Sequence, residues 1–238
     1  MKFRNVFVCA ALVVPFFAVA QDAEDDLGWN GKATLGYLAT SGNTENSNLN
    51  TGLEFGYKTE NWTHLATMNA IYATEDDTTS AEAYKAGWKS EWDMTEKDFF
   101  FGELDWRKDR FGPYATQFSQ SIGYGRRVFG TEKHKLNLDI GVGARQSEDQ
   151  LGLDQNETIL RGGLNYRWQI SESAEFRQDL LVEGGEENTY TESTTALSAT
   201  LVGNMALVAS YTIKNNSDVP PLTEKTDTYT SLSLEYVF

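Results

Sequence analysis

From Leu136 to Arg145 apolar and polar residues alternate without a break. Leu136, Leu138, Ile140, Val142 and Ala144 make one set; Asn137, Asp139, Gly141, Gly143 and Arg145 make the other. Successive side chains of a strand point to opposite faces, so this segment reads as a strand with one apolar and one polar face. The same period returns along most of the chain, down to the last stretch, Thr226 to Phe238. There Leu232, Leu234, Tyr236 and Phe238 alternate with Ser231, Ser233, Glu235 and Val237. A chain built this way has to hide many apolar faces at once. It does so either by packing two sheets on a common core or by closing one sheet into a barrel that faces lipid.

Read in order, the alternation predicts about twelve strands. The clearest early ones are Trp29–Thr40, Ser47–Lys58 and Trp62–Thr74, the last blurred because Leu65 and Ile71 oppose Trp62, Met68 and Tyr72. Acidic or polar loops are expected at Glu75–Glu82, Arg110–Gln117, Ser147–Asn156, Gly184–Asn188 and Asn215–Glu224. Tighter turns fall at Thr59–Asn61, Gly130–Lys133, Ser171–Ser173 and Gly203–Asn204. Alternating short turns and longer loops is the habit of outer-membrane barrels, and an even strand count puts both chain ends in the periplasm.

Three features favour the lipid-facing arrangement over a soluble sandwich. Tryptophans Trp29, Trp62, Trp92, Trp106 and Trp168 stand near strand ends, as interfacial girdles do. The polar faces are rich in glycine. They also carry acids and bases in equal number, although the chain as a whole has a net charge of −15. A solvent-facing sheet has no need of that balance, whereas an enclosed lumen does, because an unpaired charge in a confined space is costly. The fold class expected is therefore all-β, a transmembrane antiparallel up-and-down barrel.

Residues 1–20 read as a cleaved signal peptide. Lys2 and Arg4 precede an apolar run, and Ala18-Val19-Ala20 forms a cleavage site. Residues 21–28 are an acidic lead-in and residues 29–238 the barrel. The only cysteine, Cys9, lies in the leader, so no disulfide or cysteine metal site is expected in the mature chain. The acidic balance argues against nucleic acid as a partner. The expected partners are outer-membrane lipid, lipopolysaccharide and the barrel assembly machinery. The terminal aromatics Tyr236 and Phe238 are candidates for the assembly signal.

The run Gly36-Tyr37-Leu38-Ala39-Thr40-Ser41-Gly42-Asn43-Thr44, followed by Leu53-Glu54-Phe55, resembles the opening hairpin of the YdiY-like family. That is a domain-of-unknown-function family described as salt-induced outer-membrane proteins. The ending, from Ser210 through Tyr229 to Phe238, is similar to the family's close. The resemblance implies an outer-membrane location and a link to salt stress. It implies no activity and no functional residues.

Candidate chemistry is sparse. The chain has only two histidines, His64 and His134, and no Gly-x-Ser-x-Gly. His64 has Thr63 and Thr67 as partners by spacing alone, so no catalytic residue is assigned and no enzyme is expected. The acidic stretches Glu75–Asp77, Asp149–Glu157 and Glu186–Glu187 lack calcium-loop spacing, so no metal or cofactor is assigned. The residues that carry a hypothesis are the lumen charges. Glu103, Asp105, Arg107, Asp139, Arg145, Arg161, Arg167, Arg177 and Asp179 are expected to form an ion-pair network inside the barrel. The favoured reading is a network that fills the lumen. The other is a pathway for a charged solute.

Overall fold

The computed structural model describes residues 27–40, 46–220 and 223–238. The alternating segments become twelve antiparallel strands: β1 (Gly28–Thr40), β2 (Asn46–Lys58), β3 (Trp62–Glu75), β4 (Thr78–Asp93), β5 (Asp98–Asp109), β6 (Tyr114–Gly130), β7 (His134–Asp149), β8 (Asp154–Ser171), β9 (Ala174–Gly184), β10 (Thr189–Val202), β11 (Met205–Asn216) and β12 (Thr226–Val237). Each strand pairs with the next, and β12 returns to β1, so the sheet is a closed barrel. Each strand is thereby paired on both sides, as a sheet that crosses a membrane requires. The leader and Ser41–Thr44 of the opening hairpin lie outside the described residues.

The barrel is built inside-out. Leu35, Ile140, Val142, Leu160 and Leu232 on the outer face are each more than half exposed, while Arg145, Asp105, Arg161 and Glu183 are buried in the lumen. An apolar exterior over a polar interior is stable only when the exterior meets lipid. Aromatic rings crowd the end of the barrel that holds the chain's last residue. Trp29 packs on Tyr57 with ring centroids 4.6 Å apart, Trp92 stacks on Phe100, and Phe238 meets Phe55 and Tyr236. Trp62 and Trp168 join the same girdle, whereas Trp106 pairs with Ala86 and Phe118, away from it.

Two of the expected long loops, Glu75–Glu82 and Ser147–Asn156, are mostly strand. Between β3 and β4 only Asp76 and Asp77 remain, with φ of 47° and 62°. Two successive left-handed residues make the type I′ turn that suits a two-residue hairpin. Thr78, Thr79 and Ala81 instead continue the ladder against β3. Likewise Gln155, Asn156 and Glu157 pair with Ser147, Gln146 and Arg145, leaving four residues of the Ser147–Asn156 loop as a turn. The strands accordingly run from 11 to 18 residues, longer than the ~9–11 needed to cross. The extensions stand above the apolar band, where both faces are polar. Alternation loses its contrast there, although the backbone bonds continue.

Candidate functional site

The inner face of β5 sets the middle of the lumen. Phe99, Phe101, Glu103, Asp105 and Arg107 all point inward, mixing two large rings with three charges. The rings need room, and glycines on neighbouring strands supply it. A Cβ on Gly125 would fall 2.1 Å from the Phe99 ring, and one on Gly123 would fall 2.6 Å from Phe101. The glycine-rich lumen face is therefore a seat for two phenylalanines. Cations then cover the rings. Arg127 lies 4.9 Å from the Phe99 centroid, while Lys89 and Arg161 each lie 5.0 Å from that of Phe101.

Most of the expected charges do meet. Arg161 bridges Asp139 and Glu103, the latter at 2.6 Å across three strands. Arg107 pairs with Asp105 at 2.5 Å and forks onto Glu183 at 3.0 and 3.3 Å. Arg145 is fully buried and binds Glu157, Glu183 and the backbone carbonyl of Asn188. Arg177 stands apart from this cluster, between Glu175 at 3.2 Å and Glu235 at 3.1 Å. Asp179 accepts from Asn165 and feels the charges of Arg167 and Arg177. Arg167 and Arg177 face each other in the β8–β9 register.

Several members were not in the expected set. Glu157 had been placed in the acidic stretch Asp149–Glu157, but the stretch divides. Asp149 accepts the amides of Leu151 and Leu153 in its own turn, while Glu157 turns inward to Arg145. Counting the odd face of β8 backwards from Arg161 would have located it. The other addition spans the lumen. Lys85 of β4 bonds Glu192 of β10 at 3.2 Å, six strands away and therefore on the opposite wall. Tyr190 lies beside this tie. Its hydroxyl donates to Glu192 at 2.5 Å, and Arg107 stacks 4.2 Å above its ring. Nothing in sequence spacing relates β4 to β10.

The charges leave a cavity of about 400 Å³ on the side away from the girdle. One part of its wall is neutral and polar, with Thr34, Asn50, Asn69, Thr194, Thr212 and Ser231. Lys85, Glu192, Arg107 and Tyr190 form the other part, and Arg177, Glu235 and Glu54 also line it. A smaller space of about 170 Å³ lies beyond Glu192, Thr194 and Asp179, which line both.

Both histidines are outside this chamber. His64 Nδ1 lies 2.8 Å from Ser90 Oγ, not against Thr63 or Thr67, and its ring stacks on Trp62. Ser90 Oγ also accepts from Trp88 Nε1. His134 sits between Tyr166 and Trp168. Each belongs to the aromatic girdle.

Known proteins of similar fold are membrane barrels. The chain superposes on the COG4313 outer membrane channel from Pseudomonas putida F1 with a TM-score of 0.53, covering 95% of this chain and 100% of that one at 12% identity. It superposes on the translocator domain of the autotransporter NalP from Neisseria meningitidis with a TM-score of 0.51, covering 90% of each at 13% identity. These likenesses concern the fold. In sequence, the chain is 31% identical to the uncharacterized protein YdiY of Escherichia coli K12 over 211 residues, 87% of this chain and 82% of that protein. The family model described as "Protein of unknown function, DUF481" matches residues 33–238. With its closed barrel, its inward charges and this match over nearly all of the barrel, the chain belongs to the DUF481 family.

Proposed function

We propose that this is a bacterial outer-membrane barrel with a structural or stress-related envelope role, whose lumen is held shut at rest by its own ion pairs. In this reading the chain is exported behind the leader at residues 1–20, its ends lie in the periplasm, and passage is limited to small solutes. The observation that carries the reading is the Lys85–Glu192 bond at 3.2 Å, because it ties opposite walls together. Arg107–Glu183 and Arg161–Glu103 add shorter spans across the same lumen. The barrel is not an enzyme in this reading, and its histidines serve as interfacial anchors.

A salt-stress role fits such a lumen. Added salt weakens partly solvated pairs, and Lys85 and Glu192 keep 25% and 17% of their side chains exposed. The test is conductance of the refolded protein in a planar bilayer, after heat-modifiable migration confirms the fold. Wild type is expected to open rarely, and more often as salt rises from ~0.1 M to ~1 M. Lys85→Gln with Glu192→Gln is expected to give frequent openings. Steady openings of wild type, or a folded double variant as silent as wild type, would sink the reading.

A further inference from the structure

The barrel is not sewn together evenly. Each pair of sequence-adjacent strands is joined over at least eleven register positions. The closing pair, β1 with β12, is joined over five, Lys32–Val237 to Gly36–Ser233. Gly31 and Phe238 extend it by one position, exchanging two backbone bonds at 2.7 and 2.8 Å. Above Gly36 the ladder stops. Tyr37 to Thr40 still pair with β2, and Tyr229 to Leu232 still pair with β11, but the two stretches do not pair with each other. At Gly36, the last paired position, the strands still lie close, and a Cβ would come 2.4 Å from Ser233 Oγ and 2.9 Å from the carbonyl oxygen of Leu232.

An unpaired ladder in hydrocarbon is costly, because lipid offers the free amides and carbonyls nothing to bond. The height of the gap matters here. Trp29 sits in the girdle, and Tyr37 is eight residues above it on β1. A tilted strand crosses in ~9–11 residues, and Leu232 is six and Tyr229 nine residues above Phe238, so the gap opens within the outer half of the apolar band and runs to its edge at the headgroups. Its two sides differ in chemistry. The outer lip is Leu35, Tyr37, Leu232 and Leu234, all well exposed. Behind it Thr34, Ser231 and Ser233 line the 400 Å³ cavity. The charges that line this cavity include Lys85 with Glu192 and Arg177 with Glu235, each joined by an ion pair, and Lys214 with Asp227, which oppose each other in the β11–β12 register.

We infer that the gap between β1 and β12 is a lateral doorway through which a small uncharged amphipathic molecule moves between the lumen cavity and the headgroup zone of the bilayer. The apolar lip accepts its chain, and the hydroxyl and amide wall accepts its polar head. A volume of this size holds one such molecule. The inference goes beyond passage along the barrel axis. It takes from the reading above only which leaflet the doorway faces, and its test does not use conductance.

Hydrogen exchange on wild type comes first. The amides of Tyr37–Thr40 and Tyr229–Leu232 that point across the gap are expected to exchange at least about tenfold faster than those of Lys32–Gly36 and Ser233–Val237. Equal protection would mean that the seam is closed and would overturn the inference. The second arm uses a photoactivatable octyl glucoside as the probe, on barrels in liposomes, with labelled residues mapped by mass spectrometry. Label is expected on the cavity segments around Thr34, Thr212 and Ser231. In a Cys9→Ala background, a reversible short cross-link between Tyr37→Cys and Leu232→Cys should abolish that cavity label, and reduction should restore it. A cross-link at the already paired Leu35→Cys and Leu234→Cys should leave the label unchanged, which guards against a general folding defect. Cavity label that survives the first cross-link would place entry at the barrel mouth and overturn the doorway.

Discussion

Arg145 shows what a single lumen residue does in this barrel. It is fully buried and holds two carboxylates, Glu157 and Glu183, together with the Asn188 carbonyl at the β9–β10 turn. Removing it leaves Glu157 buried without a cation, while Glu183 keeps Arg107, so Arg145→Ala is expected to destabilise the barrel by about 3–5 kcal/mol. Urea unfolding in liposomes followed by tryptophan fluorescence measures this. A loss under ~1 kcal/mol would show that water satisfies the acids instead. Gly125 offers a second test at this scale. Its missing side chain makes room for Phe99, which is only 2% exposed. Gly125→Leu is expected to push the ring from its seat and cost about 1–3 kcal/mol through overpacking. The paired change with Phe99→Ala should recover part of that loss, because the two volumes then compensate. No recovery would mean that the glycine serves the backbone and not the ring.

Among the elements, the β3–β4 hairpin shows how local chemistry sets register. Asp76 and Asp77 occupy the left-handed region, which short polar residues tolerate and β-branched ones do not. Asp77→Val is expected to cost about 1–2 kcal/mol, read from the same urea titration, while Asp77→Gly should be neutral or mildly stabilising. An unchanged midpoint for Asp77→Val would show that the turn does not constrain the hairpin. This element also marks a limit of pattern reading. The strand assignment from alternation was sound where one face met lipid, as in β7. It failed where both faces were polar, as at Thr78–Ala81 and Gln155–Glu157, because the residue types no longer reported the pleat. Glu157 was missed for that reason.

For the whole molecule, the decisive property is the reversal of inside and outside. Ile140 lies at the middle of the apolar face of β7 and is more than half exposed. Ile140→Arg is expected to destabilise the barrel in a bilayer by about 2–4 kcal/mol. In detergent micelles the loss should be smaller, and equal losses in both would argue that this face does not meet hydrocarbon. The barrel and the facing of the clearly alternating strands, β7 above all, were legible in the sequence, because strand geometry fixes facing with period two and such a segment reports it locally. The partners within the lumen were not. Lys85 meets Glu192, and Phe99 finds its space at Gly125, only because closure and strand stagger bring distant strands to one height. The sequence by itself thus determined the closed sheet and, where one face is apolar, which side chains enter the lumen. Only the closed tertiary structure decided which of them touch, how large a cavity they leave, and where the seam between β1 and β12 comes apart, since these depend on separations across the barrel that no local spacing encodes.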